Sequence, residues 1–300
     1  MGLILRRARS AGLRHASVLL IFVLATMPAV AEDLSSVVIP PPSPSGLQRM
    51  PPPSADADAE TYARCMKLAR QDPAAAQSLA DAWRRRGGAH PAEHCAAVAL
   101  ISLGKYKEAA TRLQALAGAM TKAPTSLRAD MLDQTGQAWL LAGDPLRAYA
   151  AAGEAVSLAP GDPEIMIDRA EAAAANGFLD RAVTDLDRVL TRDPNRIDAL
   201  VYRASANREL DRLDPARADI ERALALAPRS PAALLERGNI RRLQGDRDGA
   251  RHDWDEIGRL APGSPADMAA RANIERMAEA PGKGSTSAPS ADAAGKALAK

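Results

Sequence analysis

The chain has 300 residues, of which 47% are hydrophobic but only 3% aromatic. A core of that composition must be assembled from small and aliphatic side chains, chiefly alanine, which suits closely packed helices and not a sheet built on β-branched and aromatic residues. Basic and acidic residues nearly balance, 39 against 37, and no aromatics alternate with the basic ones, so nothing here attracts a phosphate backbone or stacks on bases.

The N-terminus carries Arg6, Arg7, Arg9, Arg14 and His15 ahead of an apolar stretch from Ser17 to Met27 and then Ala29-Val30-Ala31. This is the order of an export signal, residues 1–31, with cleavage expected after Ala31. The apolar stretch is shorter than the roughly 20 residues of a spanning helix, although retention as an anchor is the alternative. Cleavage leaves 35 basic against 37 acidic residues, so the basic character of the whole chain belongs to the signal. Residues 32–55, with Pro40-Pro41-Pro42 and Pro51-Pro52-Pro53, read as an extended, disordered linker. Residues 281–300 are Gly, Ser, Ala, Pro and Lys without hydrophobic periodicity and read as a disordered tail.

Between them the segments Ala59 to Gln71 and Pro73 to Arg86 read as helices joined at Asp72-Pro73, with proline at a helix start. The run Gly104-Lys105-Tyr106-Lys107-Glu108-Ala109-Ala110 looks like a turn entering a second helix, so residues 56–123 are expected to form divergent helical hairpins. Pro91 places a helix start between His90 and His94, which argues against aligned imidazoles and a metal site. No nucleophile elbow, phosphate loop or metalloprotease motif occurs, and neither catalysis nor a cofactor is expected.

Residues 129–262 carry the decisive signal. Pro160, Pro194, Pro228 and Pro262 stand 34 residues apart three times in succession, each closing an apolar helix. A 34-residue helical period resembles the tetratricopeptide-repeat (TPR) family. With these prolines at position 32, position 8 reads Gly136, Ala170, Ala204 and Gly238. Position 20 reads Ala148, Ala182, Ala216 and Ala250, and position 24 reads Ala152, Leu186, Ile220 and Trp254. The resemblance implies an all-α fold, a right-handed superhelical solenoid of antiparallel helix hairpins, with four tandem repeats over 129–262 and a capping helix at 263–280.

Two charge ladders share the period: Arg169, Arg203 and Arg237 at position 7, and Asp185, Asp219 and Asp253 at position 23. Because the two positions lie on opposite helices of one hairpin, the reading is a repeated ion pair and not a phosphate site. The only cysteines are Cys65 and Cys95. In an exported chain they are expected to pair, since first helices of successive hairpins stack side by side; two buried free thiols or a redox site are the alternatives.

The resemblance also implies a concave groove lined by positions 2, 5, 9 and 12 of the first helices. These are Asp130, Asp133, Gln137 and Leu140, then Glu164, Ile167, Glu171 and Ala174. They continue as Asp198, Val201, Ser205 and Arg208, then Ala232, Leu235, Asn239 and Arg242. The clamp with which some TPR proteins grip a C-terminal carboxylate, built on Lys and Asn at positions 5 and 9, is absent, since position 5 is Asp133, Ile167, Val201 and Leu235. The groove runs from acidic to basic around an apolar centre of Ile167, Val201 and Leu235, which implies a partner's peptide or helix as ligand. The expectation is a non-catalytic periplasmic adaptor or scaffold in a cell-envelope assembly. A self-associating structural protein, a small-ligand carrier and an enzyme are the alternatives.

Overall fold

A computed structural model describes residues 56–279 as thirteen α-helices, with no strand among the described residues. The signal, linker and tail expected at 1–31, 32–55 and 281–300 lie outside them. The helices are α1 (Asp56–Gln71), α2 (Pro73–Arg85), α3 (Ala89–Ser102), α4 (Tyr106–Ala119), α5 (Thr125–Leu141), α6 (Pro145–Leu158) and α7 (Pro163–Ala175). They continue as α8 (Leu179–Arg192), α9 (Ile197–Glu209), α10 (Leu213–Leu226), α11 (Pro231–Leu243), α12 (Arg247–Leu260) and α13 (Pro265–Glu279). None is long and apolar enough to cross a membrane.

Local chemistry starts and stops these helices. Asp72, Asp144, Asp162, Ser230 and Asp246 each accept a hydrogen bond from a first-turn N–H, and proline occupies the first turn of α2, α6, α7 and α11, where its missing N–H costs nothing. In the four hairpins of 129–262 the turn residue has positive φ: Gly143 at 74°, Gly177 at 76°, Gly245 at 90°, and in the third an aspartate, Asp211, at 63°. The helix α3 begins at Ala89, ahead of both His90 and His94. The expected start between them is displaced because Pro91 sits within the first turn, where a proline is tolerated.

Each helix packs on the next, and α5, α7, α9, α11 and α13 also touch in succession. The odd-numbered helices therefore form one continuous layer along the solenoid. Hairpin closure follows from residue size. Ala148, Ala182, Ala216 and Ala250 are at most 1% exposed, and a Cβ on Gly136 would come within 3.2 Å of the Ala148 carbonyl oxygen. In the last hairpin the large side chain is Trp254, and a Cβ on Gly238 would stand 2.3 Å from its Nε1. Position 8 is thus glycine where position 24 is tryptophan, and alanine where it is leucine or isoleucine.

The charge ladders form bidentate pairs inside single hairpins. Arg169 Nε and Nη2 donate to Asp185 at 2.7 and 2.5 Å. The equivalent bonds are 2.8 and 2.6 Å for Arg203 to Asp219, and 2.9 and 2.6 Å for Arg237 to Asp253. Asp253, with no exposed side-chain surface, also accepts from Arg241 Nη1 at 2.9 Å. Two donors per carboxylate, in a fixed fork, compensate the desolvation that burial imposes.

The N-terminal end has a separate small core of Cys65, Met66, Ala69, Ala76, Ala80, Cys95, Ala96, Val98 and Ala99, in which the two cysteines, their Cα atoms 6.2 Å apart, are joined as a disulfide. Beside it, His94 Nε2 donates to Gln134 Oε1 at 2.8 Å, which leaves Nδ1 to accept from the Tyr62 hydroxyl at 2.7 Å. Burial lowers the His94 pKa, so the neutral ring acts as a buried strut between α1, α3 and α5.

Candidate functional site

The groove residues expected from the sequence fall into three environments. At the first, acidic end, Gln137 Nε2 bridges two carboxylates, donating to Asp133 Oδ2 at 3.2 Å and to Asp168 Oδ2 at 2.6 Å. Burial raises the pKa of Asp133 well above the usual carboxylate range, reinforced by Asp168, Asp162 and Asp130, and burial raises Asp168 as well. The Asp133 Oδ1 atom is buried without a hydrogen-bond partner. Glu164 and Asp198, by contrast, share the guanidinium of Arg196 at 2.6 and 2.7 Å.

At the centre lies a cavity of about 360 Å³ between α7, α9, α11 and the start of α13. Its walls are largely apolar, with Ala170, Ala174, Val201 and Leu235 among them, and Glu171, Tyr202, Ser205 and Glu236 bring polar groups to it. Val201 and Leu235 are 6% and 5% exposed, because they pack between hairpins as well as facing the cavity. Ile167, at 5%, lies in the core cluster and not on the cavity wall. Burial, and then the charge of Asp168, push the Glu171 carboxyl up to about 8. Glu171 in turn, followed by burial, raises the Tyr202 hydroxyl.

The third, basic end is already engaged. Arg208 donates from Nε to Glu236 and from Nη1 to Glu209, both at 2.5 Å. Asn239 donates to Glu236 at 3.1 Å and accepts from Asn273 at 2.9 Å. This buried network ties α9, α11 and α13 together, so Arg208 and Asn239, expected on the groove surface, are buried and engaged in fastening the cap. Burial lowers the pKa of Arg242, with Arg208 and Arg276 adding repulsion.

The polar residues that sequence reasoning passed over share one register. Gln134, Asp168, Tyr202 and Glu236 all occupy position 6 of their repeats, 34 residues apart. A period-34 alignment of polar residues on the first helices was the available signal.

This stack of hairpins, closed by small residues at positions 8 and 20 and punctuated every 34 residues, has the fold of the tetratricopeptide-repeat proteins. Among solved structures it is similar to TTC0263, a thermophilic TPR protein of Thermus thermophilus. The TM-score is 0.51 at 20% identity, over 63% of this chain and 98% of that one. It is also similar to MamA, with TM-score 0.45 at 16% identity over 61% of this chain and 97% of that one. A third is YrrB, described as a TPR protein with an unusual peptide-binding site, with TM-score 0.45 at 14% identity over 64% and 96%. No protein-family model matches the chain, and no curated protein matches it.

Proposed function

We propose that the protein is a non-catalytic interaction module of the cell envelope that holds a segment of a partner protein in its concave groove. The observation that carries this reading is the apolar cavity that opens between α7, α9, α11 and α13. It is continuous, through Val201 and Ala232, with a second depression lined by Arg196, Ile197 and Asp198. A solenoid offers an extended surface of this kind because each hairpin repeats the same inward-facing positions. An N-terminal arginine cluster, an apolar stretch and Ala29-Val30-Ala31 support export, as does the Cys65–Cys95 bond, since disulfides persist in oxidising compartments.

The test is partner recovery after crosslinking in the envelope fraction, with the natural chain beside a Ser205→Arg, Ala232→Arg variant at the cavity rim. A convex-face variant, Arg217→Glu, serves as control, and helicity of all three is verified by circular dichroism. One partner lost only from the rim variant supports the groove. Equal recovery with both variants overturns it. Mass spectrometry of the exported protein is expected to show Glu32 as its first residue, and a retained Met1 would overturn signal cleavage.

A further inference from the structure

Three carboxyl groups in the groove lack a cation among the described residues. The ion pairs of the inner helices account for Glu164, Asp198, Glu209 and Glu236, each held by an arginine. Asp133 and Asp168 share Gln137 and are raised by burial and by further acids, and the charge acting on Glu171 is that of Asp168. Glu171 is the member that faces the cavity. It is enclosed by protein and reaches solvent only in part, and its carboxylate forms no hydrogen bond or ion pair with the described residues. The cavity around it is walled largely by alanine, Val201 and Leu235, with Tyr202, Ser205 and Glu236 as polar members, of which Glu236 is already paired with Arg208. An acid left unpaired in an apolar recess costs stability, and a repeat scaffold is free to avoid that cost: the same register carries Gln137 and Ser205 in the neighbouring repeats.

On the reading of the groove given above, we infer that this cavity is a subsite for a cationic side chain on an apolar stem. The occupant is a lysine or arginine of a partner segment, flanked by apolar residues. Glu171 accepts from the ammonium or guanidinium while the methylenes lie on Val201, Leu235 and the alanines. Long cationic side chains combine these two parts, burying the stem along apolar surface and presenting the charge at its tip. A volume of about 360 Å³ is larger than one such side chain needs. It lies at the lower end of ligand sites, roughly 300–1,000 Å³, so it leaves room for one neighbouring apolar side chain. Asp133 and Asp168 lie further along the same inner layer, on α5 and α7, and are raised as Glu171 is, so a cation bound in the groove favours the ionised form of these acids while a second acid disfavours it. The shallower depression adjoining at Val201 and Ala232 continues the surface, which suits a segment of chain better than an isolated amine.

The probe is a fluorescein-labelled twelve-residue amphipathic helical peptide of leucine and alanine with one central lysine on its apolar face. It is compared with the same peptide carrying norleucine or glutamate there, and with n-hexylammonium. Binding to the full chain is read by fluorescence anisotropy, with hexylammonium as a competitor. The lysine peptide is expected to bind at least tenfold tighter than the norleucine peptide, and the glutamate peptide weakest. Glu171→Gln, which retains shape and removes the ionisable carboxyl, is expected to bring the lysine peptide to the norleucine affinity while leaving the norleucine peptide unchanged. Equal affinity of the lysine and norleucine peptides overturns the cation subsite. If Ala232→Arg then weakens both equally, the groove stands without it. Failure of every peptide to bind overturns the inference, and partner recovery with the rim variant then decides separately whether the groove reading survives. Hexylammonium that competes at the concentration of the peptide itself points to a free amine as ligand and overturns the peptide assignment.

Discussion

Gly238 and Trp254 offer a test in which one substitution is expected to change sign with its background. Replacing glycine by alanine inside a helix ordinarily stabilises it by about 0.8–1 kcal/mol. At Gly238 the added Cβ would stand 2.3 Å from Trp254 Nε1, 2.7 Å from Cδ1 and 2.9 Å from Cε2, well inside the roughly 3.5–4.0 Å at which carbon contacts are favourable. Trp254 is 1% exposed and cannot swing into solvent. Its Nε1 donates to the Leu235 carbonyl at 3.3 Å, a bond that a displaced ring surrenders. Overpacking costs about 1–3 kcal/mol and an orphaned buried donor about 1–3 kcal/mol, so after the propensity gain Gly238→Ala is expected to destabilise by about 1–5 kcal/mol net. Trp254→Leu recreates the combination already present as Ala170 with Leu186, and there Gly238→Ala is expected to stabilise by about 0.5–1 kcal/mol. The assay is a double-mutant cycle by urea denaturation followed by far-ultraviolet circular dichroism. Stabilisation of equal size in both backgrounds would refute the reasoning, because the two sites would then be uncoupled.

Three further outcomes follow from the same packing. Asp253→Ala strands two arginines around a wholly buried site and is expected to cost about 3–5 kcal/mol, more than Asp219→Ala at the equivalent position; thermal melts of the two variants check the order. Reduction of the Cys65–Cys95 bond, which closes 30 residues, is expected to remove about 3–4 kcal/mol of loop-closure stabilisation. Because the core it crosses is mostly alanine, hydrogen exchange should show α1 and α2 opening first while α7 to α12 keep their protection. Glu171 has a folded pKa of about 8, above the ordinary carboxylate value, so its ionisation opposes folding. The penalty is absent at low pH, grows as pH rises through the ordinary range toward 8, and is complete above it. Glu171→Gln is therefore expected to stabilise at about pH 8 but not at about pH 4, as read from melting temperatures; equal effects at both would contradict the assignment.

Much of the architecture was legible because repetition multiplies weak signals. One proline says little, but four at the same spacing fix a period, and the period places Ala148, Ala182, Ala216 and Ala250 at the points of closest approach. The Arg169–Asp185, Arg203–Asp219 and Arg237–Asp253 pairs could be read in the same way, since two ladders of opposite sign on facing helices leave few partners. The site was less legible. The period assigns a face but not the depth to which a residue is buried between hairpins, so Ile167 reads as groove lining although it packs in the core. Arg208 and Asn239 likewise read as ligand contacts. Only the meeting of α9, α11 and α13 shows that Glu236 and Asn273 engage them. The meeting of Asp133 with Asp168 depends on how far α5 and α7 are offset, which no spacing within either helix encodes. The helix start at Ala89 escaped for a local reason: proline signals a boundary but is tolerated anywhere in the first turn.

The central claim is that the concave layer is the binding surface, and site-specific photo-crosslinking tests it most directly. A benzophenone amino acid placed at Ser205 or Ala232 on the groove side, and at Arg217 or Arg251 on the exposed faces of α10 and α12, is irradiated in the envelope fraction, and the captured peptide is sequenced. The account predicts that both groove positions capture the same segment of one protein, rich in lysine or arginine among apolar residues, and that the outer positions do not. Capture of that segment from the outer positions, with none from the groove, would contradict it.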